Sequence, residues 1–514
     1  NPNFPVPPAR ADATGGDPDP NRLFPVSTLL RRFNDVHHAG RVTSACGPTI
    51  YRDDWLGEQY AGNAFICEPV HNLVTRRILE RRGPTFTGRR AEDEQTREFL
   101  ASTDNWFRPV QVRTGPDGAL WVVDMYRFVI EHPRWIPPDR LAELDVRAGA
   151  DRGRIYRVLP ADKSPREVPR LDALAPADLV RLLESRNGVV RDLAQRQLIH
   201  HALVATDELR QMVRSGNAWG RLHALCVLGI TGRLDESTLR TALGDTDAAI
   251  RRWAIRWAEP LLRTNPAVLD DVLSRQRDDD LRVRYQLAYS LGHATGDVAT
   301  AVLARLAAKD GHDPYFRSAV LSSIRPDSLA SFIEELVKHG DDASIKHVLP
   351  MAVALVPVML APDRWEATVR PIQTAALATV VRFDVWGAMI EAAERRRVSW
   401  PETLQAVLEE VANDARQLLE RGETPLEMRV RAVRFLGRSA VHADADAQRL
   451  ATYLRPIYPP ELQQAALDRL AVMESPKVVA AILDVWRELT PDRRSMVVDI
   501  LLARPAWVGR IVSA

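Results

Sequence analysis

Between Asp104 and Pro133 charged and aromatic side chains interrupt strands that otherwise read as buried. The strings are Asp104-Asn105-Trp106-Phe107-Arg108-Pro109, Gly115-Pro116-Asp117-Gly118, Asp124-Met125-Tyr126-Arg127 and Glu131-His132-Pro133. A buried charge is costly unless paired, so Asp124 and Arg127, or Asp104 and Arg108, are expected to meet partners. Two readings stay open. One is an ion-pair network that pins the sheets. The other is a site in which Arg108, Asp124, Arg127 and His132 look into a channel and bind an anionic cofactor or substrate. Asp117 precedes a glycine and reads as a hairpin residue.

Three further groups carry chemistry. His38, in the pair His37-His38, is a neutral imidazole able to take a proton from an alcohol; a solvated loop pair is the competing reading. His71, after Cys67-Glu68-Pro69-Val70, is open in the same way. Cys46 and Cys67 are expected on neighbouring strands, where they form a disulfide in an oxidising compartment or serve as two small buried residues. Cys226, the third and last cysteine, lies in an apolar run and reads as core. Three cysteines cannot make the usual four-ligand zinc site. The sequence contains no Gly-x-Gly-x-x-Gly, P-loop, His-Glu-x-x-His, Gly-x-Ser-x-Gly or Cys-x-x-Cys-His motif.

The elements that must position these residues change period near Pro160. Residues 1–22 are rich in Pro, Gly and Asp and read as a linker or loop. Residues 23–160 read as β: Val42–Cys46 ended by Gly47-Pro48, Asn63–Cys67, Asn72–Glu80, Gln111–Arg113 and Ala119–Val123 flanking a Gly-Pro-Asp-Gly turn, and Gly153–Val158. Short antiparallel strands with Gly/Asp turns suit propeller blades, and about two fit here, too few to close a ring. Residues 23–160 are therefore expected to be the C-terminal blades of a larger β-propeller, or to be completed by a partner.

Residues 161–514 repeat. Arginines fall at Arg191, Arg221, Arg251, Arg284 and Arg317, at spacings of 30, 30, 33 and 33. Four residues before each stands Asn187, Asn217, Asp247, Asp280 or Asp313, a helix-capping type. The pattern resumes at Asp342 with Lys346 and at Glu427 with Arg431, and matches poorly between Ala361 and Arg421. Each basic residue is expected to face its own cap and reach the cap of the next repeat, as a ladder. Units of two helices cannot bury an apolar face alone and must stack, so this part reads as an α-solenoid of short HEAT-like repeats. Trp253 and Trp257 share one helix face and read as core.

Composition narrows the partners. Of 514 residues, 69 Lys and Arg balance 68 Asp and Glu for a net charge of +1, which argues against nucleic acid. The longest nearly uncharged stretch, Val348–Ala361, is short and interrupted by Pro350 and Pro357, so no transmembrane segment is expected. The chain opens Asn1-Pro2-Asn3 and closes on Trp507–Ala514 as if a helix were beginning, which is expected of a piece of a longer protein.

The strings Val42–Arg52, Cys67–Val74, Trp106–Val110, Gly115–Leu120, Asp124–Arg127 and Gly153–Val158 resemble the planctomycete-type membrane-bound dehydrogenases. Those chains join a sugar/sorbosone-dehydrogenase-like propeller to HEAT repeats and a c-type cytochrome domain. The resemblance implies an exported, periplasmic protein that oxidises a sugar or other alcohol with a quinone cofactor (PQQ with calcium) and passes electrons to a c-type haem domain. On that expectation His38, Asp124 and His132 serve catalysis, and Arg108, Tyr126 and Arg127 hold the cofactor. Without Cys-x-x-Cys-His, no covalent haem is expected in this chain. The alternative belongs to another class: a non-catalytic scaffold whose solenoid holds a protein partner and whose propeller recognises a glycan or protein.

Overall fold

The structure, a computed structural model, describes residues 19–28, 40–200, 205–439, 441–504 and 507. His37 and His38 lie outside the described residues, as do most of residues 1–22 and of the closing segment. The chain divides into two compact units, one ending at Ser290 and the other starting at Leu291.

The first unit opens with two antiparallel sheets. In one, β1 (Cys46–Ile50), β2 (Ala64–Glu68), β3 (Leu73–Arg82) and β4 (Thr85–Arg89) lie in chain order, with β5 (Leu100–Ala101) also on β3. In the other, β6 (Pro109–Thr114), β7 (Leu120–Asp124) and β8 (Arg154–Val158) follow one another. Both sheets are open; the described residues contain no closed barrel or propeller, and β8 pairs only with β7. The inner faces share one core of Tyr51, Phe65, Cys67, Val74, Phe107, Val112, Leu120 and Val122.

The first strand differs from its sequence reading. It starts at Cys46 and runs through Gly47-Pro48, where Val42–Cys46 ending at Gly-Pro was expected. The ladder with β2 shifts register between Cys46 and Thr49, so Pro48 sits at an irregularity on an edge strand, a place where its missing N–H costs little. Gly47 takes φ 54, and a Cβ there would stand 2.4 Å from the Val110 carbonyl of β6. Only glycine lets β1 approach β6 so closely. Strand β4 was not anticipated: Thr85–Arg89 includes a glycine and alternates weakly, yet the Gly83 turn folds it back onto β3.

Helices follow, and the five caps expected from Asn187 to Asp313 are in place, whereas Glu427 lies inside the helix Leu426–Val433, after Pro425, and pairs with Arg431. Asn187 accepts from the amides of Val189 and Val190, Asn217 from Gly220, Asp247 from Ala249, Asp280 from Arg282, and Asp313 from Tyr315 and Phe316. The arginine of each repeat behaves differently from expectation. Its Nη1 donates to backbone carbonyls just ahead of its own helix: Arg191 to Ser185 and Arg186, Arg221 to Gly216, Arg251 to Asp245 and Thr246, Arg284 to Asp278 and Asp279, Arg317 to Gly311. Where the guanidinium crosses to the next repeat, it meets the acid two positions before the cap. Arg221 binds Asp245 at 2.8 and 2.9 Å, and Arg251 binds Asp278 at 2.7 Å twice. The cap Asp247 accepts a helix amide and Asp280 holds the amide and guanidinium of Arg282, while the acid two positions earlier faces across the turn.

In the second unit the poorly matching stretch is helical too, with Trp365–Thr374, Thr379–Arg395 and Gln405–Glu420. Its links are other pairs, such as Arg382 with Asp414 and Arg416 with Asp446. Asp341 caps the helix expected to begin after Asp342, accepting from Ser344. The span Asp342–Met359 is long and apolar enough by length and composition to cross a membrane, but it carries Pro350 and buries Val348, Leu349, Ala352 and Val353 among neighbouring helices. Such burial is that of a core helix.

Candidate functional site

Strand register and one left-handed turn assemble the charged strings into a single network. Asp124 ends β7 directly opposite Arg154 of β8. Its side chain is fully buried: Oδ1 accepts from the amides of Arg108 and Tyr126, each at 2.8 Å, and Oδ2 accepts from Arg154 Nε at 3.2 Å. Tyr126 has φ 49, a conformation strained for a bulky residue. The bond from its amide to Asp124 holds it there.

Arg108 is buried and spends its guanidinium on carbonyls. Nε donates to Arg127, Nη1 to Pro69 and Val70, and Nη2 to Phe128, with the shortest of these bonds at 2.8 Å. Burial lowers its pKa to about 10, with Asp104 and Asp124 opposing that shift. Arg127 donates from Nη2 to Val146 O, and its buried Nε has no hydrogen-bond partner among the described residues. The ring of Tyr126 lies beside Trp106 and beneath the Arg154 guanidinium, 3.6 Å away.

The network continues behind Arg108. Glu68 accepts from the amide and hydroxyl of Ser44, the latter at 2.6 Å, and lies 3.3 Å from His71 Nδ1. Burial pushes the Glu68 carboxyl up, but hydrogen bonds from His71 and Ser44 outweigh it and hold the acid below the usual carboxylate range. The Gly40 amide donates to His71 Nε2. Asn72, at φ 57, donates to the carbonyls of Asn105 and Phe107.

Four of the six expected site residues, Arg108, Asp124, Tyr126 and Arg127, are thus brought together. His132 is not among them. It is exposed and caps a short 3-10 turn, accepting from the Arg134 amide at its Nδ1. His38 lies outside the described residues. The partners expected for these charges are now specified: Asp124 pairs with Arg154, and Asp104 also leans toward Arg154, at 3.7 Å. Arg154 escaped sequence reading because its role depends on the register of β8. Alternation would have shown that it shares the inner face with Val158. Ser44 and Glu68 escaped because their partners are local loops.

A different set of groups joins the sheets to the first repeat. Asp53, with a fully buried side chain, is bound by Arg166 and by Asn187 Nδ2, and Asn187 also donates to Gly115 O. Arg52 grips Asp192 and accepts the Gly188 amide. Asn187 thereby caps its helix and locks it to the β module.

With this geometry in hand, comparison with known proteins separates the two halves. A family described as a domain of unknown function (DUF7133) matches residues 1–162. The family described as HEAT repeats matches residues 236–325. Residues 236–325 are HEAT repeats. No curated protein matches. Among solved structures, the C-terminal fragment of the Chaetomium thermophilum cohesin loader SCC2 is similar over 63% of this chain and 34% of that one, at 13% identity and a TM-score of 0.23.

The residues of the network do not fit the quinone and calcium implied by the resemblance. Calcium takes six to eight oxygen ligands. The one carboxylate at the centre, Asp124, is committed to two amides and Arg154, and no three His, Cys, Asp or Glu side chains among the described residues are placed to hold a metal ion. Four of the five Arg108 N–H donors are spent on carbonyls, which leaves one Nη2 hydrogen and no bidentate hold on an anionic ring substituent.

Proposed function

We propose that the chain is a non-catalytic binding scaffold, in which helical repeats present a surface to a protein partner and the β module anchors one end of the array. The observation that supports this most is the internal commitment of Arg108 to four carbonyls and of Asp124 to two amides and the Arg154 guanidinium. A guanidinium bonded to four carbonyls is a staple, and removing it would loosen the two segments Pro69–Val70 and Arg127–Phe128.

The second unit supplies a surface suited to polypeptide. Cavities of about 630 and 730 Å³ open side by side, with Glu391 lining both. The larger carries Arg434 and Arg493 opposite Glu461 and Asp468, a two-signed wall that suits a polar segment bearing both charges. In this reading the two open sheets are propeller-type blades, and the single pairing of β8 supports an additional neighbour at that edge.

The test sets both expectations against each other. The complete protein is given PQQ and calcium and assayed for dye reduction on sugars and polyols. In parallel, partner capture from the source organism is compared between the unmodified protein and an Arg434→Glu/Arg493→Glu variant. A partner retained by the former and lost from the latter, with no dye reduction, is expected. Substrate-dependent dye reduction would restore the dehydrogenase expectation and overturn the scaffold.

A further inference from the structure

Cys46 of β1 and Cys67 of β2 are direct partners in the antiparallel ladder, and both are free thiols. Opposed residues in such a ladder have Cα atoms about 4.5–5.5 Å apart, within the span that a disulfide bridges. The backbone has room to adjust beside Cys46, because the register shifts between it and Thr49 and Gly47 occupies the left-handed region. Access differs between the two: Cys46 is partly exposed and Cys67 is fully buried. Cys226 lies in the helix Ala218–Ile230, in contact with Trp257.

We propose that Cys46 and Cys67 are an oxidisable pair that closes into a disulfide and clasps the edge strand β1 to β2. With a small disulfide as oxidant, such as oxidised glutathione, the Cys46 thiolate attacks one sulfur, the oxidant's S–S bond breaks, and one glutathione thiolate leaves. The Cys67 thiolate then attacks the Cys46 sulfur of the mixed disulfide and expels the second glutathione. The two thiol protons go to the departing thiolates, and the oxidant takes up the two electrons. The bond would fix the strand that carries Gly47 against β6 and that follows Ser44, the residue holding Glu68. Burial raises both thiol pKa values, that of Cys67 to about 12, so the second attack sets the pace.

The folded full chain is incubated with oxidised glutathione, blocked with an alkylating reagent, and mapped by proteolysis without reductant. Free thiols are expected to fall from three to one, with the peptides of Cys46 and Cys67 linked and Cys226 alkylated. The oxidised form should melt higher by roughly 5 °C, the size expected of a modest loop closure in a domain of this length. A Cys46→Ser variant should keep both remaining thiols under the same oxidant. Glutathione left on Cys46 without a cross-link, a bond involving Cys226, or three thiols still free would each overturn the proposal.

Discussion

The carboxylate of Asp53 meets the guanidinium of Arg166 across 113 positions of sequence, with both oxygens 2.6 Å from Nη1. The same carboxylate accepts from Asn187 at 2.7 Å. One buried acid therefore ties the sheets, the segment that leaves them and the first repeat helix. Replacing it removes the buried acceptor shared by Arg166 and Asn187, which keep only their bonds to Asp54 and to the Gly115 carbonyl. Asp53→Ala is expected to cost about 3 kcal/mol, read as a lower urea midpoint for the first unit. A loss below about 1 kcal/mol would show the junction to be held by other contacts.

The link between repeats is measurable as a coupling. Arg251 and Asp278 are largely buried and doubly bonded, a geometry stronger than that of surface pairs. A double-mutant cycle with Arg251→Ala and Asp278→Ala should return about 2 kcal/mol of interaction energy. The exposed pair Arg140 and Glu143 serves as the control and should return close to none.

His223 gives the solenoid a pH dependence. Burial, reinforced by the nearby Arg191 charge, lowers its pKa to about 4, against about 6.5 in an unfolded chain. Between those values the unfolded chain binds a proton that the folded one refuses. Stability should therefore fall as pH drops from about 6.5 to about 4 and level off below. His223→Gln should flatten that part of a stability-against-pH curve recorded by denaturant titration; an unchanged slope would assign the effect to other groups.

Arg108 separates a staple from a ligand-binding cation. Arg108→Lys keeps the charge but cannot serve four carbonyls on two separate segments with one compact ammonium. It should cost about 2 kcal/mol in stability, measured by thermal or urea unfolding. Stability equal to that of the unmodified chain would return Arg108 to the list of binding residues.

Sequence alone carried the helix caps and the change of period, because both are local: Asn217 and Asp247 act on amides within three residues. It carried less of the ladder, since the acid an arginine chooses depends on which carboxylate is already spent. Asp280 is occupied by the amide and guanidinium of Arg282, so Arg251 meets Asp278, two residues ahead of that cap. In the β module the clustering of Arg108, Asp124, Tyr126 and Arg127 was legible as charge among apolar strands. Its purpose was not legible. Whether Arg108 meets carbonyls or solvent is decided by two segments distant in sequence, Pro69–Val70 and Arg127–Phe128. Register likewise hid Arg154, and the 134 positions between Asn187 and Asp53 hid the junction.

The placement of Asp245 and Asp278 makes the array a set of interchangeable cassettes. Each stands two residues ahead of a capping Asp and takes the guanidinium of the preceding unit. Excising residues 245–277 would set Asp278 at the same distance from Arg221 that Asp245 now occupies, and duplicating them would extend the chain of links by one. Recombination at this seam can lengthen or shorten the protein while keeping this series of arginine–aspartate links continuous.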